Sequence, residues 1–431
     1  MGGKAAILLV LGFSLIFLVA GSNFNRVATT SVDNLTSYYD ETAAYNLASA
    51  AANMACNRIF LDPAWTAGYN NMTFGGGTIN VTVEVVDPFQ NIRKIIASGI
   101  YDGVTKQIQV TLQPSKFSKF TYYSAQEPSN IWWTTGDTVW GPLHIQGNLQ
   151  VAGSPVFWGK VTNRDSLVYF NPGHWETRWV RVGNRWRRVQ VWVPGTDDPK
   201  FYGGYENGVD IPMPTDGVSN LRAAANSGGA VFTNKDTVYL TFQGDSLKYK
   251  FRSRDKYTSV LLSTFAPNGV IFVDNGNIRL KGTIKGQYTV GASATGNYAQ
   301  SKGKVFLDDD VVYNTDPRTN PSSTDLFGIV TQNEVLISDN LVNRTGIKID
   351  ASIYSEQAGF GAENYDTRVG GGFIDLYGGI QQKVRKAVGT FDNYGVVTGF
   401  NKRYRYDERL RIASPPYFPG TGSYQIVSWY E

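Results

Sequence analysis

The sequence predicts an α+β chain that is mainly β. A long N-terminal helix, apolar at first and amphipathic after, leads into a small antiparallel strand region. A parallel β-solenoid of the right-handed β-helix type follows, carrying an inserted β-hairpin. Three observations predict this. No proline occurs from Met1 to Asp62, and apolar residues there step by three and four. Past Pro114, two- and three-residue strand cores recur about every six residues between glycine and asparagine. One stretch, HWETRWVRVGNRWRRVQVWVPG, reads as two long strands about a two-residue turn.

The helix comes first. From Ala5 to Gly21 there is no charged residue, and Ser14 carries the only hydroxyl. Those seventeen residues span roughly 26 Å as a helix, near the lower limit for crossing a bilayer. Ala5, Leu8, Leu11, Leu15 and Leu18 are its candidate membrane and assembly positions. Lys4 marks the cytoplasmic side, which places the C-terminal bulk outside the cytoplasm, in the periplasm or at the cell surface. The stripe Phe24, Ala28, Val32, Leu35, Tyr39, Ala43, Leu47, Ala50, Met54 continues the helix along one face. Asp62-Pro63 ends it, because the residue before proline is pushed away from helical backbone. A cut among Val19, Ala20, Gly21 and Ser22 would make the opening a discarded export signal. That reading stands beside a single-pass anchor and a filament-forming helix.

Next, Ile95–Leu112 reads as two strands joined at Asp102-Gly103, a strong hairpin signal. The expected domains are the helix at 1–62, the small strand region at 63–113 and the solenoid body at 114–431. About 164–265 interrupts the matching coils.

A short leader ending at Gly3, an apolar run, and a continuous amphipathic helix resemble the N-terminus of type IV pilins and pseudopilins. The alanine-rich Tyr45–Ala55 stretch and the strand pair after it are similar to PilX-type minor pilins. The resemblance covers residues 1–113. It implies a strand pair packed on the exposed half of the helix. It further implies a subunit whose partners are the membrane, sister pilin-like subunits and the pilus or secretion machinery. A cut after Gly3 would put Leu8 where major pilins carry a glutamate, which implies a minor subunit.

In the body, Gly147–Gly153 and Gly276–Gly282 both read G-N-[LI]-x-[VL]-x-G. Strand cores this close suit coils that bury their inward side chains only by stacking on a neighbour. Sandwich strands recur every 8–12 residues, and a sandwich with irregular loops is the competing reading. The tail Lys402–Arg411 alternates arginine with tyrosine and reads as a cap on an open solenoid end.

Folding the Trp/Arg stretch about Gly183-Asn184 sets Arg181 against Trp186, Trp179 against Arg188 and Trp175 against Trp192, all on one face. Arg178, Arg181, Arg185, Arg187 and Arg188 stand against Glu176 alone, a net +4 equal to that of the whole chain. The functional reading is an arm touching a surface glycan, a lipid headgroup or another subunit. The plain one is a ribbon whose ladder replaces a core.

Composition bounds the rest. The chain has 431 residues with 46 glycines, 25 tyrosines and 23 phenylalanines, which suits a β-rich fold with many turns. Its overall charge is too small for a nucleic-acid partner. One cysteine, Cys56, forms no internal disulfide, and two histidines leave little for a zinc site. No cofactor is implied. A catalytic solenoid would need paired carboxylates on adjacent coils. The one dense acidic run, Asp308-Asp309-Asp310, reads as a solvated turn, and His144 as structural. No nucleophile elbow, zinc-binding helix or phosphate loop occurs. The expected function is a membrane-anchored, outward-facing structural or adhesive protein, not an enzyme. A plain single-pass envelope protein, or a solenoid that binds or cleaves carbohydrate, is the alternative.

Overall fold

A computed structural model describes residues 2–87, 92–296, 299–392 and 395–431. The chain divides into two compact units. One is Met1–Pro114 with Ser423–Glu431; the other is Ser115–Gly422.

In the first unit a single helix runs from Gly2 to Leu61. The strands Tyr69–Phe74, Gly77–Asp87, Ile92–Tyr101 and Val104–Lys116 follow as an antiparallel meander. Tyr101 pairs with Val104 across the predicted turn. Asp102 and Gly103 have φ of 42° and 82°, the mirror-image turn that matches strand twist. The buried face of the helix is Ala44, Leu47, Ala48, Ala51, Ala52, Ala55 and Ile59, packed on Ile79, Val81, Ile95, Ala97, Ile108, Val110 and Leu112 of the sheet. Of the stripe read along one face, Leu47 lies in this contact. Phe24, Val32, Leu35 and Tyr39 are exposed. Small residues lie on the contact because the helix backbone comes close to the strands. Gly420–Tyr430 is the fifth strand of this sheet, beside Val104–Lys116. The sequence reading had given all of 114–431 to the body. Instead the body is inserted between two neighbouring strands of one sheet.

The second unit is a stack of parallel coils. One inward row passes from strand to strand through Ala230, Ile271, Val290, Ile329, Ile353, Ile380, Tyr122, Leu143, Val161 and Tyr205. All but Tyr205 are buried. Each aliphatic member of such a row contributes roughly 1.5–3 kcal/mol by leaving water, and a coil obtains that burial only with neighbours on both sides. The two G-N-[LI]-x-[VL]-x-G matches begin the second strands of their coils, Leu149–Ala152 and Asn277–Ile284.

Stack order differs from sequence order. Coils 122–207 come first in the chain but last in the stack. Residues 208–229, including the helix Gly217–Gly228, return the chain to the far end, where Ala230–Thr233 begins the longer run. That run closes on the first coil, where Ile380 pairs with Tyr122 and Arg403 with Thr138. Two expectations are corrected. The strand Gly395–Arg405 has parallel neighbours on both sides, so the tail is interior to the stack and caps nothing. Segment 164–265 is not one interruption, since Leu167–Tyr169, Lys200–Phe201, Tyr205–Asn207, Ala230–Thr233 and Thr237–Gly244 are strands of the stack.

The seam between these distant coils carries buried charge. Arg385 Nη1 lies 2.7 Å from Glu127 Oε2, both side chains at most 2% exposed. Lys402 Nζ lies 2.6 Å from Asp137 Oδ2. Gln381 donates to the Phe120 carbonyl and Gln382 to the Tyr122 hydroxyl. Burial draws the Lys402 pKa down, with Asp137 opposing it.

A separate buried acid sets a pH response. Asp350, on Gly346–Ser355, accepts from the Tyr313 N–H at 3.0 Å and from Arg318 at 3.4 Å. Burial pushes its carboxyl up to about 6, against the pull of those two donors. Between about pH 4 and 6 the folded chain holds a proton that the unfolded chain has released, so this group's stabilisation is lost as pH rises through that window. Asp350→Asn is expected to remove up to roughly 3 kcal/mol of that fall. Urea unfolding of the detergent-solubilised variant and wild type at pH 4 and pH 7 measures it.

Candidate functional site

Among the described residues, two features face outward with much of their apolar surface uncovered. The first is the start of the helix. Ala5, Leu8, Leu11, Leu15 and Leu18 are all exposed, with Leu8 at 70% and Leu18 at 69%. Gly3–Leu61 is long and apolar enough to cross a membrane, and its most apolar window has no buried residue. Exposure continues through Phe24, Val27, Leu35 and Tyr38, and burial on the sheet begins only at Asp40 and Ala44.

The second is the Trp/Arg hairpin. Among the described residues His174–Val182 and Arg185–Val193 pair only with each other. The register is the one the turn predicted: Arg181 opposite Trp186, Trp179 opposite Arg188 and Trp175 opposite Trp192. Gly183 has φ of 63°, the requirement of the first turn position. Trp175 and Trp192 meet edge to face at 5.4 Å. The Arg188 guanidinium sits 5.1 Å from the Trp179 ring centre. Arg181 is turned instead to its own loop, donating to the Gly183 carbonyl at 3.3 Å and Asn184 Oδ1 at 3.4 Å. The four tryptophans are 48–65% exposed.

The opposite face was missed in the sequence. Val180, Val182, Val189, Val191 and Val193 alternate there with Glu176, Arg178, Arg185 and Arg187. Period-two alternation carried the signal, but valine beside arginine is less conspicuous than tryptophan. The ribbon is therefore apolar and cationic on both faces.

The neck of the hairpin is pinned. Asp197 accepts from the Gly153 N–H at 2.6 Å and the Asn171 N–H at 2.5 Å, tying the outgoing chain to the incoming one. A side chain at Gly195 would meet the Asn171 carbonyl at 2.5 Å. A cleft of about 750 Å³ opens beside this neck, lined by Phe170, His174, Asp197 and Phe391 among others.

The acidic run does not converge on a site. Asp308-Asp309-Asp310 lies in the strand Val305–Tyr313 at an irregularity of register, not in a solvated turn. Asp308 accepts from Nε and Nη2 of Arg279, and Asp310 accepts from the Lys348 N–H. Asp325 fastens the Gly286 and Thr315 N–H groups. His144 is buried and bonded to Thr162 and Gln146, with burial drawing its pKa down. Among the described residues no three His, Cys, Asp or Glu side chains cluster to hold a metal.

No family model matches the chain, and no curated protein matches it. Among solved structures it is similar to the competence-associated pilin ComZ from Thermus thermophilus. That likeness spans 91% of this chain and 97% of that one, at 10% identity and a TM-score of 0.35.

Proposed function

We propose that the chain is a membrane-anchored structural protein facing out of the cytoplasm, a minor pilin-like subunit whose helix passes from the bilayer into a bundle of sister helices. One observation carries the reading: a single continuous helix has two halves of opposite fate. One face of residues 44–59 is buried on the chain's own sheet, while no residue of 3–39 is buried. The uncharged part of that exposed half needs lipid. The stripe from Phe24 to Leu35, past the apolar run, needs a different cover, and sister helices of the same stripe supply it.

An arginine in the middle of a membrane-spanning helix costs roughly 3 kcal/mol. Leu8→Arg with Leu15→Arg is therefore expected to remove the chain from sheared surface fractions. N-terminal sequencing of the native chain then distinguishes a subunit cut after Gly3 from an uncut anchor. Sheared fractions that still contain the double variant sink the reading. A wild-type chain found only in the membrane pellet supports a plain anchor instead.

A further inference from the structure

We propose that the Trp/Arg hairpin is a docking arm for an anionic lipid surface, entering the headgroup zone tip first. Its charge fits one sign of partner. Glu176 is held by Arg178 at 2.7 Å. Among the described residues no carboxylate pairs with Arg181, Arg185, Arg187 or Arg188, which surround the turn. Guanidinium groups bind phosphate by paired hydrogen bonds.

Apolar exposure selects among anionic partners. Trp179 and Trp186 are 60% and 65% exposed on one face, and Val180 and Val182 are 39% and 53% exposed on the other. A glycan chain or a flat protein surface covers one face and leaves the other wet. The interfacial layer of a bilayer surrounds a thin ribbon and covers both. Tryptophan favours that layer, with its ring among acyl carbons and its N–H in water. Depth is limited by the backbone. Both strands are edges, and their outward N–H and C=O groups would go unsatisfied in hydrocarbon. The tip thus stays in the outer 5–10 Å or so that interfacial segments occupy. This assignment does not depend on whether the helix forms filaments.

The test uses the full chain held in phosphatidylcholine nanodiscs, so that its own anchor is already satisfied. These are mixed with vesicles of phosphatidylcholine alone or with added phosphatidylglycerol, some of it brominated, and floated. Wild-type discs are expected to float with the anionic vesicles only, with bromine quenching of tryptophan emission. Arg185→Gln with Arg187→Gln is expected to weaken flotation about thirtyfold, each arginine near such a surface being worth about a factor of five. These two side chains are exposed, so an unchanged melting temperature is expected. Trp179→Ala with Trp186→Ala should reduce the quenching. Three outcomes overturn the proposal. They are wild-type discs that ignore anionic vesicles, an arginine double variant that floats as well as wild type, and an arm that holds an acidic polysaccharide or single-stranded oligonucleotide while leaving vesicles alone.

Discussion

Arg385→Met is expected to destabilise the coiled body by about 3–5 kcal/mol, the range for removing one partner of a buried ion pair. The guanidinium spans three groups at the seam. It lies 2.7 Å from Glu127, donates to the Trp132 carbonyl at 3.2 Å, and stands 4.4 Å from the centre of the Trp133 ring. Without it, Glu127 is left in a site where its side chain is 1% exposed. The Tyr122 hydroxyl at 3.0 Å is then its remaining donor of those described. Burial by itself would lower the Arg385 pKa, yet Glu127, Tyr122 and Asp137 together outweigh it and hold the group above its ordinary value. The cation is therefore fixed at any working pH.

The companion variant decides the cause. Glu127→Gln on the Arg385→Met background removes both charges and should recover much of the loss, because uncompensated charge is the expensive part. If the double variant is as unstable as the single, the guanidinium acts through its packing on Trp133. Urea unfolding followed by tryptophan fluorescence reads both. The location explains why charge is spent here. Elsewhere in the stack consecutive coils are joined by short chain, which limits their register. At the seam the paired residues are 258 apart in sequence, and closing so long a loop gives no register by itself. A hydrophobic row tolerates a two-residue slip, which keeps every side chain on its own face; two ion pairs that must meet together do not.

That seam also marks the limit of what the sequence disclosed. Strand cores between Gly and Asn made the coils legible, because each coil is a local pattern. Which coil stacks on which is not local. Nothing near Lys402 announces Asp137, so an arginine- and tyrosine-rich strand looked like an exposed cap. The hairpin register was fully legible, since Gly183-Asn184 fixes the pairing of every residue beside it. Similarly, Asp102-Gly103 set the register of Ile92–Tyr101 against Val104–Lys116. The buried face of the helix was not legible, for another reason. The sheet selects for small size at Ala44, Ala48, Ala51 and Ala55, and apolar periodicity alone does not mark which stretch of one continuous helix its own sheet covers.

Gly99→Ala is expected to cost about 3 kcal/mol, at the upper end for an overpacked contact, and Gly99→Val more. Gly99 lies mid-strand in Ile92–Tyr101, where glycine is otherwise unfavourable. A methyl built there would come within 2.3 Å of the Ala44 carbonyl oxygen, 2.4 Å of the Ala48 nitrogen and 2.7 Å of Leu47 Cβ. Two of these are backbone atoms of the helix, so no rotamer change relieves the clash. Either the helix lifts or the strand bends. Trimming Ala44 or Ala48 to glycine removes neither atom and should not rescue the variant. Cys56 reports which movement occurs. Its half-buried thiol packs at the edge of this contact, and burial pushes it up to about 11, so it is slow to react at neutral pH. Lifting the helix should speed its labelling by a maleimide, measured by intact mass. A stable variant with unchanged labelling would mean that the sheet yields, and that close approach of helix to strand is not what glycine secures at this position.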